Sequence, residues 1–132
     1  MRCLKRYALG LAALAFAAAA TAQQFPERPV TIIVPFTAGG SSDIVARTLQ
    51  PRLTALLGQS IIVENKPGAN GGLAAAYVAK AKPDGYTLLV GSIGTYAINP
   101  VLYKDLAYDP RRDFDLLTVA VRTPNALVAT PS

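Results

Sequence analysis

The sequence predicts an α/β fold built on a parallel sheet, and three observations carry that prediction. Short apolar, β-branched runs alternate with segments of helical period. The connections between them are short. Two glycine-bearing loops each follow directly on an apolar run, so both fall at strand carboxyl ends and on the same edge of a parallel sheet. Right-handed crossovers then place helices on the sheet faces.

The first strand is Val30 to Pro35, apolar except for Thr31, as suits a strand covered on both faces. Phe36-Thr-Ala-Gly-Gly-Ser-Ser42 follows as a tight loop. Ser41 or Ser42 is the expected cap of a helix from about Asp43 to Leu57. Ala46, Leu49, Leu53, Leu56 and Leu57 form its apolar stripe, and Gly58 suits its carboxyl end. Pro51 removes a helical N–H and crowds the preceding turn, which predicts a kink near Arg47 or two short helices. Strand two is Ser60 to Glu64. The turn-rich Asn65–Gly72 segment leads into a second helix over about Gly71 to Ala81. Strand three is Thr87 to Gly91, and Gly91–Pro100 is a second loop opening into a helical turn that runs to Tyr103. Leu116 to Val121 and Ala126 to Ala129 are apolar enough for two further strands.

Residues 1–22 stand apart from this pattern. Arg2, Lys5 and Arg6 precede the Ala-rich run Tyr7 to Ala20, and Ala20-Thr21-Ala22 is an A-x-A cleavage site before Gln23. This is the grammar of a cleaved secretory signal peptide, and the run is short for a membrane span. Cleavage lowers the net charge from +5 to +2, because those three cations leave with the leader. It also removes Cys3, the single cysteine, so the exported chain relies on its core rather than on disulfides. The full sequence is 52% apolar and enough of it lies beyond the leader to build that core, so the mature chain is expected to be soluble in the periplasm.

Several chemistries are excluded by composition. The chain has no histidine, which removes Ser-His-Asp hydrolysis and most zinc arrangements. No thiol nucleophile survives cleavage. No basic stripe interleaved with aromatics points to nucleic acid. Asp109, Asp113 and Asp115 cluster, but beside Arg111 and Arg112 they read as a solvated loop rather than a metal site. No metal or cofactor is expected. Tyr77, Tyr86 and Tyr103 read as core or rim aromatics.

The two loops are the remaining candidates. Phe36–Ser42 lacks the Gly-Lys-Ser/Thr ending of a P-loop and the spacing of a dinucleotide fingerprint. Its glycines serve either a tight βα turn or the close approach of a ligand to the amides of a helix start, where a carboxylate is the natural guest. Gly91-Ser-Ile-Gly-Thr95 adds two hydroxyls at a strand end, and a plain loop is its simplest reading. Pro67–Gly72 is either an anion nest or a turn that sets up the second helix.

Five spaced segments together resemble the receptors of tripartite tricarboxylate transporters, the Bug family. They are Phe25–Gly40 (FPERPVTIIVPFTAGG), Leu57–Ala69 (LGQSIIVENKPGA), Lys82–Leu89 (KPDGYTLL), Ala97–Tyr103 (AINPVLY) and Tyr108-Asp-Pro110 with Asp113-Phe114. The resemblance implies a lobe of a periplasmic-binding-protein type II clamshell, a mostly parallel sheet flanked by helices. It implies capture of a small carboxylate solute between two lobes, without catalysis, and delivery to membrane permease subunits. The candidate ligand-binding residues are then Phe36, Thr37, Ala38, Gly39, Gly40, Ser41, Ser42 and Asp43 in one loop, with Ser92, Gly94 and Thr95 in the other. Residues 23–123 correspond to an incomplete first lobe and 124–132 to the start of a crossover, with the second lobe absent from this chain. A lone lobe is expected to bind solute weakly or not at all, because one wall cannot bury it, and to expose a sheet edge prone to aggregation.

Two other readings remain at the level of sequence. One is a fragment of a nucleotide-binding α/β enzyme, for which Glu64 at the end of strand two is the supporting residue. The other is a ligand-sensing interaction protein outside transport.

Overall fold

The computed structural model describes residues 25–122; the leader and the predicted strand at Ala126 to Ala129 lie outside them. The order is β1 (Val30–Val34), α1 (Ser41–Leu57), β2 (Ile61–Asn65), α2 (Gly72–Ala79), β3 (Thr87–Leu89) and α3 (Asn99–Leu102). A 3₁₀ turn, Ala69–Gly71, precedes α2, and a π turn, Gly94–Ile98, precedes α3.

The three strands form one parallel sheet in the order β2-β1-β3. Val30 to Val34 pair in register with Ile61 to Asn65, and Thr31 to Ile33 pair with Thr87 to Leu89. The parallel sheet expected from the sequence is therefore present. Its centre is the most apolar strand, because a strand flanked on both edges and both faces has no solvent to satisfy a polar side chain. Val30, Ile32 and Val34 form a core with Ala46 of α1 and Ile61, and Leu53, Val63, Tyr86, Leu88 and Val90 pack around it. Side chains alternate along a strand, so the fully buried Ile33 points to the opposite face, where α2 packs on β1 and β3 and buries Ala74 and Ala75.

Several expectations need correction. Helix α1 is continuous through Pro51 rather than kinked or split. Pro51 and Arg47 are both exposed, so water can reach the carbonyl that the proline leaves without a partner. Neither Ser41 nor Ser42 caps α1: the cap position belongs to Gly40, with no side-chain cap bond. The apolar stripe of α1 is only partly used, since Ala46 is buried whereas Leu56 is 77% exposed. Gly58 does close the helix, at φ +67°, donating its N–H to Thr54 O at 3.0 Å.

The predicted strand at Leu116 to Val121 is not a strand. The chain folds back as far as Phe114, whose ring packs edge-on against Tyr96 and Tyr108 at 5.8 and 5.9 Å. Beyond it Leu116, Leu117, Val119 and Val121 are exposed, and no described strand pairs with them. An apolar run becomes a strand only when a neighbour takes its hydrogen bonds.

Candidate functional site

The strand order marks the edge at which open α/β sheets hold their ligands. The chain leaves β1 toward β2 on one side and returns to β3 on the other. Strand order reverses beside β1, and the crevice beyond the carboxyl ends of β1 and β3 is the topological switch point. Residues 35–40 leave β1 there, and residues 90–95 leave β3 there. Gly71 joins the two. At φ +82° it packs so closely that a Cβ on it would lie 2.7 Å from Thr95 Cγ2 and 3.0 Å from Pro35 Cβ. The Ala69–Gly71 turn is thus the wedge against which both loops rest.

The first loop is held from beneath by Asp43. Its buried carboxylate accepts hydrogen bonds from Gly39 N–H at 2.8 Å, Arg47 Nε at 3.0 Å and Asn65 Nδ2 at 2.9 Å. Asn65 Nδ2 also donates to Phe36 O at 3.0 Å, and Arg47 donates to Asn65 Oδ1 at 3.2 Å. These bonds tie the loop to the end of β2 and stabilise the ionised acid. The Gly39 amide first, then Arg47 and Asn65, hold the Asp43 pKa down to about 2, against a smaller opposing effect of burial. A carboxyl with a depressed folded pKa adds stability that is complete above its ordinary pKa, near 4, and fades as pH falls toward 2. Asp43→Asn should therefore be destabilised against the native chain at neutral pH. The gap between their urea midpoints should narrow on acidification through that window, and a gap independent of pH would contradict this account.

With Asp43 turned inward, the first-turn amides of α1 at Ser41, Ser42 and Asp43 carry no side-chain cap. Thr37, Ala38, Gly39 and Ser41 are exposed, and Phe36, Gly40 and Ser42 are half-buried. The loop surface around them is backbone and hydroxyl. Such a surface suits an anion at a helix start.

The second loop is built differently from the plain loop of the sequence reading. Gly94 and Thr95 open a helical turn and are buried. The Thr95 hydroxyl accepts from Ser92 N–H at 2.9 Å and donates to Ser92 O at 2.8 Å, so it clamps the loop internally. Ser92 stays half-buried, and its own hydroxyl has no partner among the described residues. Tyr108 OH donates to Thr95 O at 2.6 Å and accepts from the fully buried Asn99 at 3.2 Å. Asn99 in turn exchanges two bonds with Asn70: Asn70 Nδ2 donates to Asn99 Oδ1 at 2.9 Å, and Asn99 Nδ2 donates to Asn70 O at 3.1 Å. The sequence reading did not single out Arg47, Asn65, Asn70, Asn99 or Tyr108 as site residues. The only signal available was polar residues bordering apolar elements.

Other features lie elsewhere. Open depressions of about 490 and 370 Å³ surround Phe25, Glu27, Arg28, Leu57 and Tyr86 near the amino end of the sheet, away from the switch point. Tyr86 is a rim aromatic there, under the Arg28 guanidinium and edge-on to Phe25. Asp109 and Asp113 accept main-chain N–H bonds within their own turn, and no described acidic cluster could hold a metal. Glu64 pairs with Lys66 at 2.7 Å. Among the described residues no helix is long and apolar enough to cross a membrane.

A parallel sheet with its loops gathered at a switch point is shared by open α/β folds in general, and the solved structures it resembles make it part of a periplasmic binding-protein fold. The likeness to MatC from Rhodopseudomonas palustris with bound malate has a TM-score of 0.65 at 50% identity, over 68% of this chain and 31% of that one. The R. palustris protein Rpa4515 with adipate gives 0.64 at 45% identity, over 66% of this chain and 29% of that one. A UPF0065 protein of Bordetella bronchiseptica is 45% identical over 83% of this chain and 32% of its own length. The tripartite tricarboxylate transporter family receptor description matches residues 45–132. The chain belongs to that family of solute-binding receptors, and it spans about a third of the length of the curated relatives it matches.

Proposed function

We propose that this chain forms one wall of a periplasmic site that captures a small carboxylate for a tripartite tricarboxylate-type transporter. The observation that carries the reading is the uncapped start of α1 lying at the switch point with the open Ser92 hydroxyl. A carboxylate there accepts from first-turn amides and from hydroxyls, and no step of chemistry is needed. Asp43 keeps the loop in shape, and Thr95 and Gly94 shape the facing loop. The malate and adipate of two structural relatives support a carboxylate guest. Export by cleavage after Ala22 and handover to permease subunits complete the role. A nucleotide-binding enzyme is the weaker alternative, because Glu64 is engaged by Lys66 and the glycine fingerprint is missing.

The test is calorimetric titration of the protein recovered from the periplasm with malate, adipate, citrate and ATP. Heat of binding with an acid and none with ATP is expected, with Gln23 as the amino-terminal residue. Ser92→Ala should weaken the bound acid about three- to tenfold, the worth of one hydrogen bond. Binding of ATP alone would overturn the proposal, and unchanged affinity in Ser92→Ala would remove the second loop from the site.

A further inference from the structure

Asn70 sits at the rim of the crevice in a conformation that its neighbours impose. Gly68, Ala69, Asn70 and Gly71 have φ of +136°, +47°, +50° and +82° in succession. Two of the four are not glycine, and left-handed backbone at such residues costs about 1–2 kcal/mol each. Asparagine tolerates that region, often by bonding its own local backbone. Asn70 instead spends its side chain on a residue 29 positions away, Asn99.

That pairing determines which way the Asn70 carboxamide faces. Asn70 O can only accept, so the Asn99 group 3.1 Å from it is the donor, Nδ2. Asn99 Oδ1 is then the acceptor that meets Asn70, and Nδ2 of Asn70 is the atom bound to it at 2.9 Å. One N–H of Asn70 and the whole of Oδ1 remain open on an exposed residue. They overhang the same small volume as the open Ser92 hydroxyl: a Cβ on Gly94 would lie 3.1 Å from Asn70 Nδ2, 3.5 Å from Asn70 Oδ1 and 3.3 Å from Ser92 Oγ.

A carboxylate has no hydrogen to give, so Oδ1 has no use for it. The geometry points to Asn70 as a specificity-determining residue of the solute site, with Oδ1 accepting from a hydroxyl or ammonium group beside the bound carboxylate. The open N–H and Ser92 Oγ assist at the carboxylate itself. This inference rests on the carboxylate-capture reading and adds the substrate class: acids bearing a hydrogen donor next to a carboxylate are preferred over acids that lack one. The rigid Asn99 pairing matters, because a fixed acceptor discriminates by being left unpaired when the wrong guest binds.

The test compares malate, aspartate and succinate, which share a four-carbon dicarboxylate frame and differ in the donor, on the native protein and on Asn70→Gly. Glycine removes the carboxamide and keeps the left-handed backbone without strain. Native protein should bind malate or aspartate about tenfold more tightly than succinate, and whichever of the two gains identifies the donor. In Asn70→Gly the ratio should fall toward one: succinate loses only the assisting N–H and weakens about three- to tenfold, while malate or aspartate loses the Oδ1 acceptor as well and weakens about tenfold more. Equal affinities in the native protein, which need no variant to measure, or a ratio that survives Asn70→Gly, would overturn the inference and leave carboxylate capture standing. Binding of none of the three by the native protein would overturn both.

Discussion

Replacing Asn99 by leucine should destabilise the chain by about 3 kcal/mol, measured as a lower urea midpoint at unchanged slope. Asn99 is fully buried and holds three polar partners at once: Asn70 O, Asn70 Nδ2 and Tyr108 OH. Leucine shares the branching of asparagine and is larger, so it leaves no void, and the cost combines the lost hydrogen bonds with crowding of a fully buried site. Tyr108 retains Thr95 O as an acceptor, which limits the loss on that side. Tyr108→Phe should cost less, about 1–2 kcal/mol, because it removes one shared hydroxyl and leaves the Asn70–Asn99 exchange intact. The double variant should cost less than the two separate losses added together, since both changes break the same Asn99–Tyr108 bond. Additive losses would show that the two residues do not act as one network.

How far the sequence reveals this site depends on the range of the interactions involved. The β-α-β-α-β order was legible because strand and helix periods are local. Val30 to Val34 could be read as a strand buried on both faces from its own side chains, and it is. The two crevice loops were placed correctly on one sheet edge for the same reason. The carboxyl cap of α1 at Gly58 was legible but the amino cap was not, since the choice of Gly40 over Ser41 depends on an Asp43 carboxylate that turns back to Gly39 and out to Asn65, 22 residues away. The continuity of α1 through Pro51 depends on which side of the helix meets water. The asparagine network was hidden for the same cause: Asn70 and Asn99 sit in unrelated local contexts and meet only when β3 lies beside β1. Leu116 to Val121 shows the converse, a segment with strand composition and no partner among the described residues.

Gly71→Ala is expected to be as damaging as the loss of Asn99, for a steric reason, and it tests whether the crevice is set by close packing. Alanine at φ +82° carries a conformational cost of about 1–2 kcal/mol. Its Cβ would also stand 2.7 Å from Thr95 Cγ2, closer than carbon atoms approach, and 3.0 Å from Pro35 Cβ, a very tight contact. Both neighbours are fully buried, so neither can swing into solvent, and overpacking adds about 1–3 kcal/mol. A total near 3 kcal/mol follows, read by urea unfolding. Gly39→Ala is the matched control: its φ is +84°, but nothing lies within 4 Å of the added carbon, so only the conformational cost applies. If Gly71→Ala costs no more than Gly39→Ala, the contact among Pro35, Gly71 and Thr95 is slack and the loops are positioned by their hydrogen bonds alone. If it costs about 2 kcal/mol more, the β2–α2 turn is a spacer that sets the width between the α1 start and the Ser92 loop. Solute affinity should then fall with stability, because a carboxylate can bridge two walls only at one separation.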